Sequence, residues 1–410
     1  MLVVVASCQA FQRPGSITGG EQAAEDRAGS IRIGAGYSST GGMNWIDVPG
    51  LNGFLLAADK VNRQGGLLGR PLEVVHVDGT TDGRQIRRAV SEMIGGHGVM
   101  AIGGLNDGIF ALSPRRGALP RADGGLITFE HSELALTAGP VAEAAGIPVV
   151  TTSTLPGLPE RVGRHLFMIV SGTDAQASAI AEYAWATLEG RDAWMLVDQA
   201  HGYTTLLASH FEQVWTELGG EVQVETYATG DLDITSQLAR LGGLDPRPDV
   251  LFLAGLPNDG GIILRQIRAM GFMEPVLSAD WFDTPYLAAY AGDLTDDLYF
   301  GTQAALEDPD VQEFIDDYRG EYGEPPPNAF AILGYDALNL IADAIERAGS
   351  EEPGAVRDAL AATDEFPALS GAITYRPGEF QPIKPVSIVR VQDGEFSVVE
   401  KITPLNRDGA

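Results

Sequence analysis

The sequence predicts an α/β protein built on parallel sheets, and three observations carry that expectation. Short apolar runs alternate with amphipathic stretches from Ile31 to Leu277, the βαβα rhythm of strands covered by helices on both faces. Runs such as Val250 to Leu253 are apolar throughout, as strands buried on both faces are. The stretch Ile147-Pro-Val-Val-Thr-Thr-Ser-Thr154 passes from such a run straight into four hydroxyl residues, and Pro156-Gly157 then breaks regular structure. Open α/β sheets bind ligands at the carboxyl ends of their strands. Hydroxyls there can donate to a carboxylate or amide oxygen without adding charge. A Thr-rich strand end that simply faces water satisfies the same residues.

The first strand is Ile31 to Tyr37, which leads into Ser38-Ser-Thr-Gly-Gly42. The GxGxxG dinucleotide spacing fails there at Ser39. Leu51, Phe54, Leu55, Ala58 and Val61 recur at helical spacing over Gly50 to Asn62. Strands follow at Pro71 to Val77 and Val99 to Ile102, with a helix from Asp82 to Ile94 between them. The same alternation gives helices at Ala175 to Leu188, Thr204 to Leu218, Thr235 to Leu241 and Asp259 to Met270. It gives strands at Ala193 to Val197, Val222 to Thr226, Val250 to Leu253 and Pro275 to Leu277. After Gly301 helices take over, at Val311 to Tyr322 and Asn328 to Arg347. The second carries Phe330, Leu333, Ala337, Leu340, Ile341 and Ala344 as its apolar stripe. Short strands are expected at Ala372 to Tyr375, Val386 to Val391 and Phe396 to Glu400, the last two joined by a turn with the Asp393-Gly394 hairpin signal.

The length, 410 residues, suffices for two domains with real cores. The formal net charge of −29 argues against nucleic acid or an anionic membrane surface as a partner. Only Lys60, Lys384 and Lys401 are lysines. A single cysteine, Cys8, excludes an intramolecular disulfide and thiolate clusters. Its setting, Leu2-Val-Val-Val-Ala-Ser-Cys8, resembles the lipobox of bacterial lipoproteins, in which the Cys becomes the lipidated first residue. The apolar run is shorter than an ordinary signal core and no basic residue precedes it, as expected if the true signal begins further upstream. A chance Cys in a loose tail is the alternative. Gln9 to Ser30 then reads as a flexible tether.

Taken together, Asn62-Arg-Gln-Gly-Gly-Leu-Leu-Gly-Arg-Pro-Leu-Glu-Val-Val75, Pro140-Val-Ala-Glu-Ala-Ala-Gly-Ile-Pro148 and Gly172-Thr-Asp-Ala-Gln176 resemble the type I periplasmic binding proteins of the branched-chain amino acid group. Tyr322-Gly-Glu-Pro325, Gly334-Tyr-Asp-Ala337 and Asp393-Gly-Glu-Phe396 extend the match in the right order to Lys401. These are substrate-binding subunits of ABC importers. The resemblance implies two Rossmann-like lobes with parallel sheets, joined by three hinge crossovers near Phe167 to Ser171, Tyr299 to Gly301 and Gly371 to Tyr375. Residues 31–170 with 301–372 would form the first lobe, residues 171–300 with 373–403 the second, and residues 1–30 the signal remnant and tether. It also implies an extracytoplasmic, lipid-anchored or periplasmic protein that works with a membrane permease.

Position by position, the resemblance implies that Thr152, Ser153 and Thr154 bind a carboxylate or carbonyl. Ser132 falls at the family's serine, at the start of a helix from Glu133 to Ala145, where a plain N-cap would look the same. A rival alignment puts Asn106 and Asp107 there instead and moves the insertion into the helix; His131 is a further candidate. Asp107 in the site would disfavour a free carboxylate by like-charge repulsion. Asp280 falls where amino-acid binders carry an acid for the ligand ammonium; an Asp capping the next helix is the alternative. His201, with Tyr203 after it, stands where relatives place an aromatic wall. Trp45 lies near the first-lobe aromatic, Trp281 follows Asp280, and Leu256-Pro257 replaces residues that are often aromatic.

An enzyme is the rival class. No GxSxG, HExxH or Walker A sequence is present, and His76, His97, His131, His165, His201 and His210 show no metal spacing. Ser132, His201 and Asp280 would make a triad only if closure brought opposite lobes together. No cofactor or metal is expected. The sequence reading is a solute binder that closes by a hinge and does no chemistry. An amino acid is the leading ligand, with amides, urea-like or aromatic compounds next and a sensory ligand-binding protein last.

Overall fold

The computed structural model describes residues 29–106 and 134–404. Two sheets organise them. The first contains β1 (Ile31–Gly36), β2 (Leu72–His76), β3 (Ala101–Gly104), β4 (Val149–Thr151) and β5 (Leu166–Met168), ordered β2-β1-β3-β4-β5 and parallel throughout. The second contains β6 (Asp192–Asp198), β7 (Glu221–Tyr227), β8 (Val250–Ala254), β9 (Val276–Ala279), β10 (Leu298–Thr302), β11 (Val386–Gln392) and β12 (Glu395–Ile402). Its order is β12-β11-β10-β9-β8-β6-β7. It is parallel from β7 to β10, and β11 and β12 add an antiparallel edge. The hairpin between them turns at Asp393 (φ 53°) and Gly394 (φ 76°), the two positive angles a tight primed turn requires.

Helices cover both sheets. On the first lie α1 (Asn44–Arg63), α2 (Gly83–His97), α3 (Leu134–Ala145) and the short α4 (Leu158–Val162). Asp82 caps α2 by accepting from Arg84 N and Gln85 N. On the second lie α5 (Thr173–Ala186), α6 (Gly202–Glu217), α7 (Thr235–Gly242), α8 (Pro257–Ala269) and α9 (Pro285–Ala291). The chain then returns to the first sheet with α10 (Gln312–Tyr322), α11 (Phe330–Ala348) and α12 (Pro353–Ala361). All six residues of the expected α11 stripe are buried. α11 lies backbone to backbone on α1. A Cβ on Gly53 would sit 1.8 Å from Ala331 O, and one on Gly334 1.8 Å from Gly50 O. Glycine is needed there for close approach.

Apolar burial forms one core around the first sheet and one on each face of the second. The chain passes between the sheets three times: after β5, after β10 and before β11. Two local expectations are corrected. Leu166–Met168 and Leu298–Thr302 are paired strands whose neighbouring residues make the crossing. Ala372 to Tyr375 is no strand; Ile373 makes only an isolated bridge to Phe366. Ile373, Tyr375 and Phe380 belong to the first core, so the last crossing lies beyond them. The reason is packing: Phe380 and Tyr375 both meet Phe167, at 4.5 and 5.5 Å between ring centroids.

The three passages are stitched together by buried hydrogen bonds. Ser171 N donates to Gln303 Oε1 (3.0 Å), and Gln303 Nε2 returns to Ser171 O (2.9 Å). Lys384 N donates to Ser171 Oγ (3.1 Å). Lys384 Nζ donates to Ile169 O (2.9 Å) and Ser370 Oγ (2.5 Å). Ser370 in turn donates, from both N and Oγ, to Asp336 on α11. Burial pulls the Lys384 ammonium down to about 8, against the raising effect of Asp336.

Candidate functional site

Three neighbouring strands of the first sheet end in polar residues held out of water. β1 runs into Tyr37 and Ser38, β3 into Leu105 and Asn106, and β4 into Thr152, Ser153 and Thr154. Leu105 has φ 57°, a left-handed backbone a branched side chain rarely takes, and it turns the chain sharply after β3. Thr151 Oγ1 donates to Leu105 O (2.9 Å) and accepts from Ser153 N (3.1 Å), which ties the ends of β3 and β4 together. Asp47, fully buried in the first turn of α1, accepts from Ser38 N (2.8 Å) and Asn106 Nδ2 (2.5 Å). Ser38 Oγ, Asn106 Oδ1 and Thr152 Oγ1 are all buried and have no hydrogen-bond partner among the described residues. Buried polar groups are nearly always paired, so three such atoms on adjacent strand ends make this edge the candidate site.

The second sheet faces this edge with a carboxylate. β9 leads into Asp280, which is 2% exposed and accepts from Gln176 Nε2 on α5 (2.5 Å) and Tyr203 OH on α6 (2.7 Å). Tyr203 stacks on Trp281 at 4.1 Å, and His201 meets the same indole edge-on at 6.3 Å. Burial holds the His201 imidazole below its usual range, against the pull of Asp198 and Asp259. Leu256 and Tyr203 are half-buried against the first core.

The two lobes already touch. Trp45 on α1 meets Trp281 edge-on at 6.2 Å and Phe330 at 5.9 Å. Thr154 O accepts from Thr173 N (2.7 Å) and Oγ1 (3.1 Å) at the start of α5. Asp283 Oδ2 accepts from Ala329 N, just before α11 (2.9 Å). Contacts therefore run in a closed circuit: Asp47 to Asn106, across Leu105 and Thr151 to Thr154, then Thr173, Gln176, Asp280, Tyr203, Trp281 and back through Trp45. An open groove of about 290 Å³ borders it, lined by Asn44, Trp45 and Asn328 from one side and Thr284 and Tyr286 from the other.

Of the sequence candidates, Trp45, Asn106, Thr152, Ser153, Thr154, Tyr203, Asp280 and Trp281 fall on this circuit, with His201 and Leu256 beside it. Ser132, Asp107, His131 and Cys8 lie outside the described residues. Sequence reasoning missed Asp47 and Gln176. Asp47 sits beside Ile46 near the start of an apolar helix, and Gln176 lies inside a quoted family motif; both were visible signals. Among the described residues no group of three or more His, Cys, Asp or Glu could hold a metal ion. What the site can do chemically is accept and donate hydrogen bonds, stack on flat groups and oppose one buried carboxylate to a cationic or N–H partner.

Two α/β lobes whose strand ends face one another across such a circuit define a type I bilobal binding protein. The sequence pattern described as periplasmic binding protein matches residues 30–115 and 124–395, and the chain belongs to that family. The Leu/Ile/Val-binding protein BraC3 of Rhizobium johnstonii is 24% identical over 328 residues, 79% of this chain and 81% of that protein. The substrate-binding protein LivJ of Streptococcus pneumoniae, solved in complex with isoleucine, superposes with a TM-score of 0.77 at 24% identity, covering 92% of this chain and all of that one. A solute-binding protein of an ABC transporter from R. palustris, solved with benzoate, gives a TM-score of 0.71 at 18% identity, covering 92% and 97%.

Proposed function

We propose that this chain is the substrate-binding component of an ABC importer and takes an amino acid or a related small polar solute between its lobes by hinge closure. The observation that carries the reading is the circuit itself, with unsatisfied neutral groups on one lobe and Asp280 on the other. A ligand with an ammonium or amide N–H would reach Asp280 while its remaining polar atoms complete Ser38, Asn106 and Thr152. Binding couples to closure because only the closed form contacts the ligand from both sides. The lobes in this reading are residues 31–170 with 301–372, and 171–300 with 373–403. The hold of the first core on Ile373, Tyr375 and Phe380 argues for moving the last boundary past residue 380.

The reading includes an extracytoplasmic location, a permease partner and lipidation at Cys8. Relatives belong to such transport systems, and no helix among the described residues is long and apolar enough to cross a membrane. The reading is of a binder rather than an enzyme, supported by Gln176 and Tyr203 both donating to Asp280. Aromatic acids are the second reading, favoured by the walls Trp45, Tyr203 and Trp281 and by the benzoate-bound neighbour.

A thermal-shift screen of aliphatic amino acids, neutral amides, urea-like compounds and aromatic acids tests this, because a ligand that binds only the folded state raises the melting temperature. Asp280→Ala should abolish the response to ammonium-bearing ligands, a loss of about 2–5 kcal/mol in affinity for a buried charge partner. Retained affinity in calorimetry would reject that role for Asp280.

A further inference from the structure

The Asp47–Asn106 contact fixes the polarity of the first lobe's edge. Asp47 is fully buried, and its two oxygens receive Ser38 N and Asn106 Nδ2. A carboxylate only accepts hydrogen bonds, so the Asn106 amide has to turn its NH₂ toward Asp47 and its oxygen away. The orientation of an Asn amide is usually a choice between two near-identical shapes. Here a neighbouring charge makes that choice. The freed Oδ1 is buried, has no partner among the described residues, and belongs to the same strand-end edge as Ser38 Oγ and Thr152 Oγ1. Those hydroxyls can donate or accept and therefore do not discriminate. The Asn106 oxygen can only accept.

We propose that Asn106, locked by Asp47, is a specificity-determining residue that admits a ligand bringing an N–H donor to the first lobe and rejects a free carboxylate at that position. The ligand class is then a carboxamide, a urea-type group or an ammonium. This deepens the interlobe-binding reading above and rests on it. A carboxylate brought against the Asn106 oxygen would set one acceptor against another, with no proton to share between them. Asp47 is a positioning residue in this scheme and touches no ligand itself.

Matched acid and amide pairs, L-leucine with L-leucinamide and benzoate with benzamide, separate the possibilities by titration calorimetry at one pH. In any pair that binds, the amide should bind the native protein at least tenfold tighter than the acid. Asp47→Asn offers the Asn106 amide an acceptor or a donor, frees it to flip, and should narrow the ratio to below threefold. If that variant does not fold, Asn106→Ser carries the test: its hydroxyl can donate, and it should shift preference toward the acid. An acid that binds the native protein as tightly as its amide, or an acid-to-amide ratio unmoved by the variant tested, overturns the proposal while leaving interlobe binding intact. Failure of all four probes to bind, with no response in the wider screen, removes the binding reading and this inference together.

Discussion

Lys384 and Asn106 are both held out of water, 0% and 4% exposed, and both sit where the lobes come together. Their surroundings differ in kind. Around Lys384 the polar groups are matched: its ammonium has Ile169 O and Ser370 Oγ, Ser370 has Asp336, and Ser171 has both Lys384 and Gln303. Around Asn106, three buried oxygens on neighbouring strand ends have no hydrogen-bond partner among the described residues. Equal burial with unequal satisfaction separates two jobs. A matched network holds segments 169–171, 303 and 370–384 in register and belongs to the fold. On the proposed reading, an unmatched edge gains when a molecule supplies the missing hydrogen bonds, and so belongs to binding.

The largest effect that could break this contrast is at the hinge. Lys384→Met leaves Ile169 O without its donor and Asp336 without the nearby cation. Removing one partner of a buried charged network typically costs about 3–5 kcal/mol, so the urea unfolding free energy should fall by that order. A loss below about 1 kcal/mol would put Lys384 in the class of dispensable polar groups and erase the distinction.

The strand-end edge should behave in the opposite way. Thr152→Val keeps the shape and removes a hydroxyl that has no partner. An unsatisfied buried polar group costs about 1–3 kcal/mol. The ligand-free variant should therefore unfold at the same or higher denaturant concentration, by up to ~1 kcal/mol, while ligand affinity drops severalfold. Chemical denaturation with and without ligand reads both quantities from one preparation. A clear loss of stability without ligand would mean that the hydroxyl is satisfied in the empty protein.

The two regions were also unequally legible in the sequence. The edge could be read locally, because Ile147 to Val150 is apolar and the hydroxyls follow without a break. The terminal hairpin was legible through Asp393-Gly394, and α11 through a stripe that burial confirms residue by residue. The hinge was not. Lys384 lies between Ile383 and Pro385 and reads as a loop; its burial exists only because distant segments of the chain meet around it. β5 and β10 were hidden for a related reason: at a crossing, a short paired strand and a connecting segment have the same composition, and only the partner strand distinguishes them. Asp280 was visible as an acid after a strand, but its partners lie 104 and 77 residues away. Asp47 lay outside the helix expected over Gly50 to Asn62; α1 in fact starts at Asn44, which puts Asp47 in its first turn.

Asp283 sharpens the comparison from a third side, because its hydrogen bond to Ala329 N joins second lobe to first and is made only while the lobes meet. Burial pushes its carboxyl up to about 7; the Ala329 N–H opposes this, and Glu307 and Asp280 add to it. In an opened protein the same side chain returns toward the ordinary value of about 4. Closing therefore takes up a proton between pH 4 and 7, and proton uptake favours the closed form as pH falls through that window. Ligand affinity should rise as the pH is lowered from 8 to 6. The half-buried position of Asp283 keeps the effect small, on the order of a few-fold, because solvent screens much of the interaction. Titration calorimetry across that range, on the native protein and on Asp283→Asn, isolates the contribution: the difference between the two profiles cancels His201, Asp280 and Glu307. Parallel profiles would mean that the lobes meet at Asp283 whether or not a ligand is bound, and the contact would then belong with the matched network at Lys384.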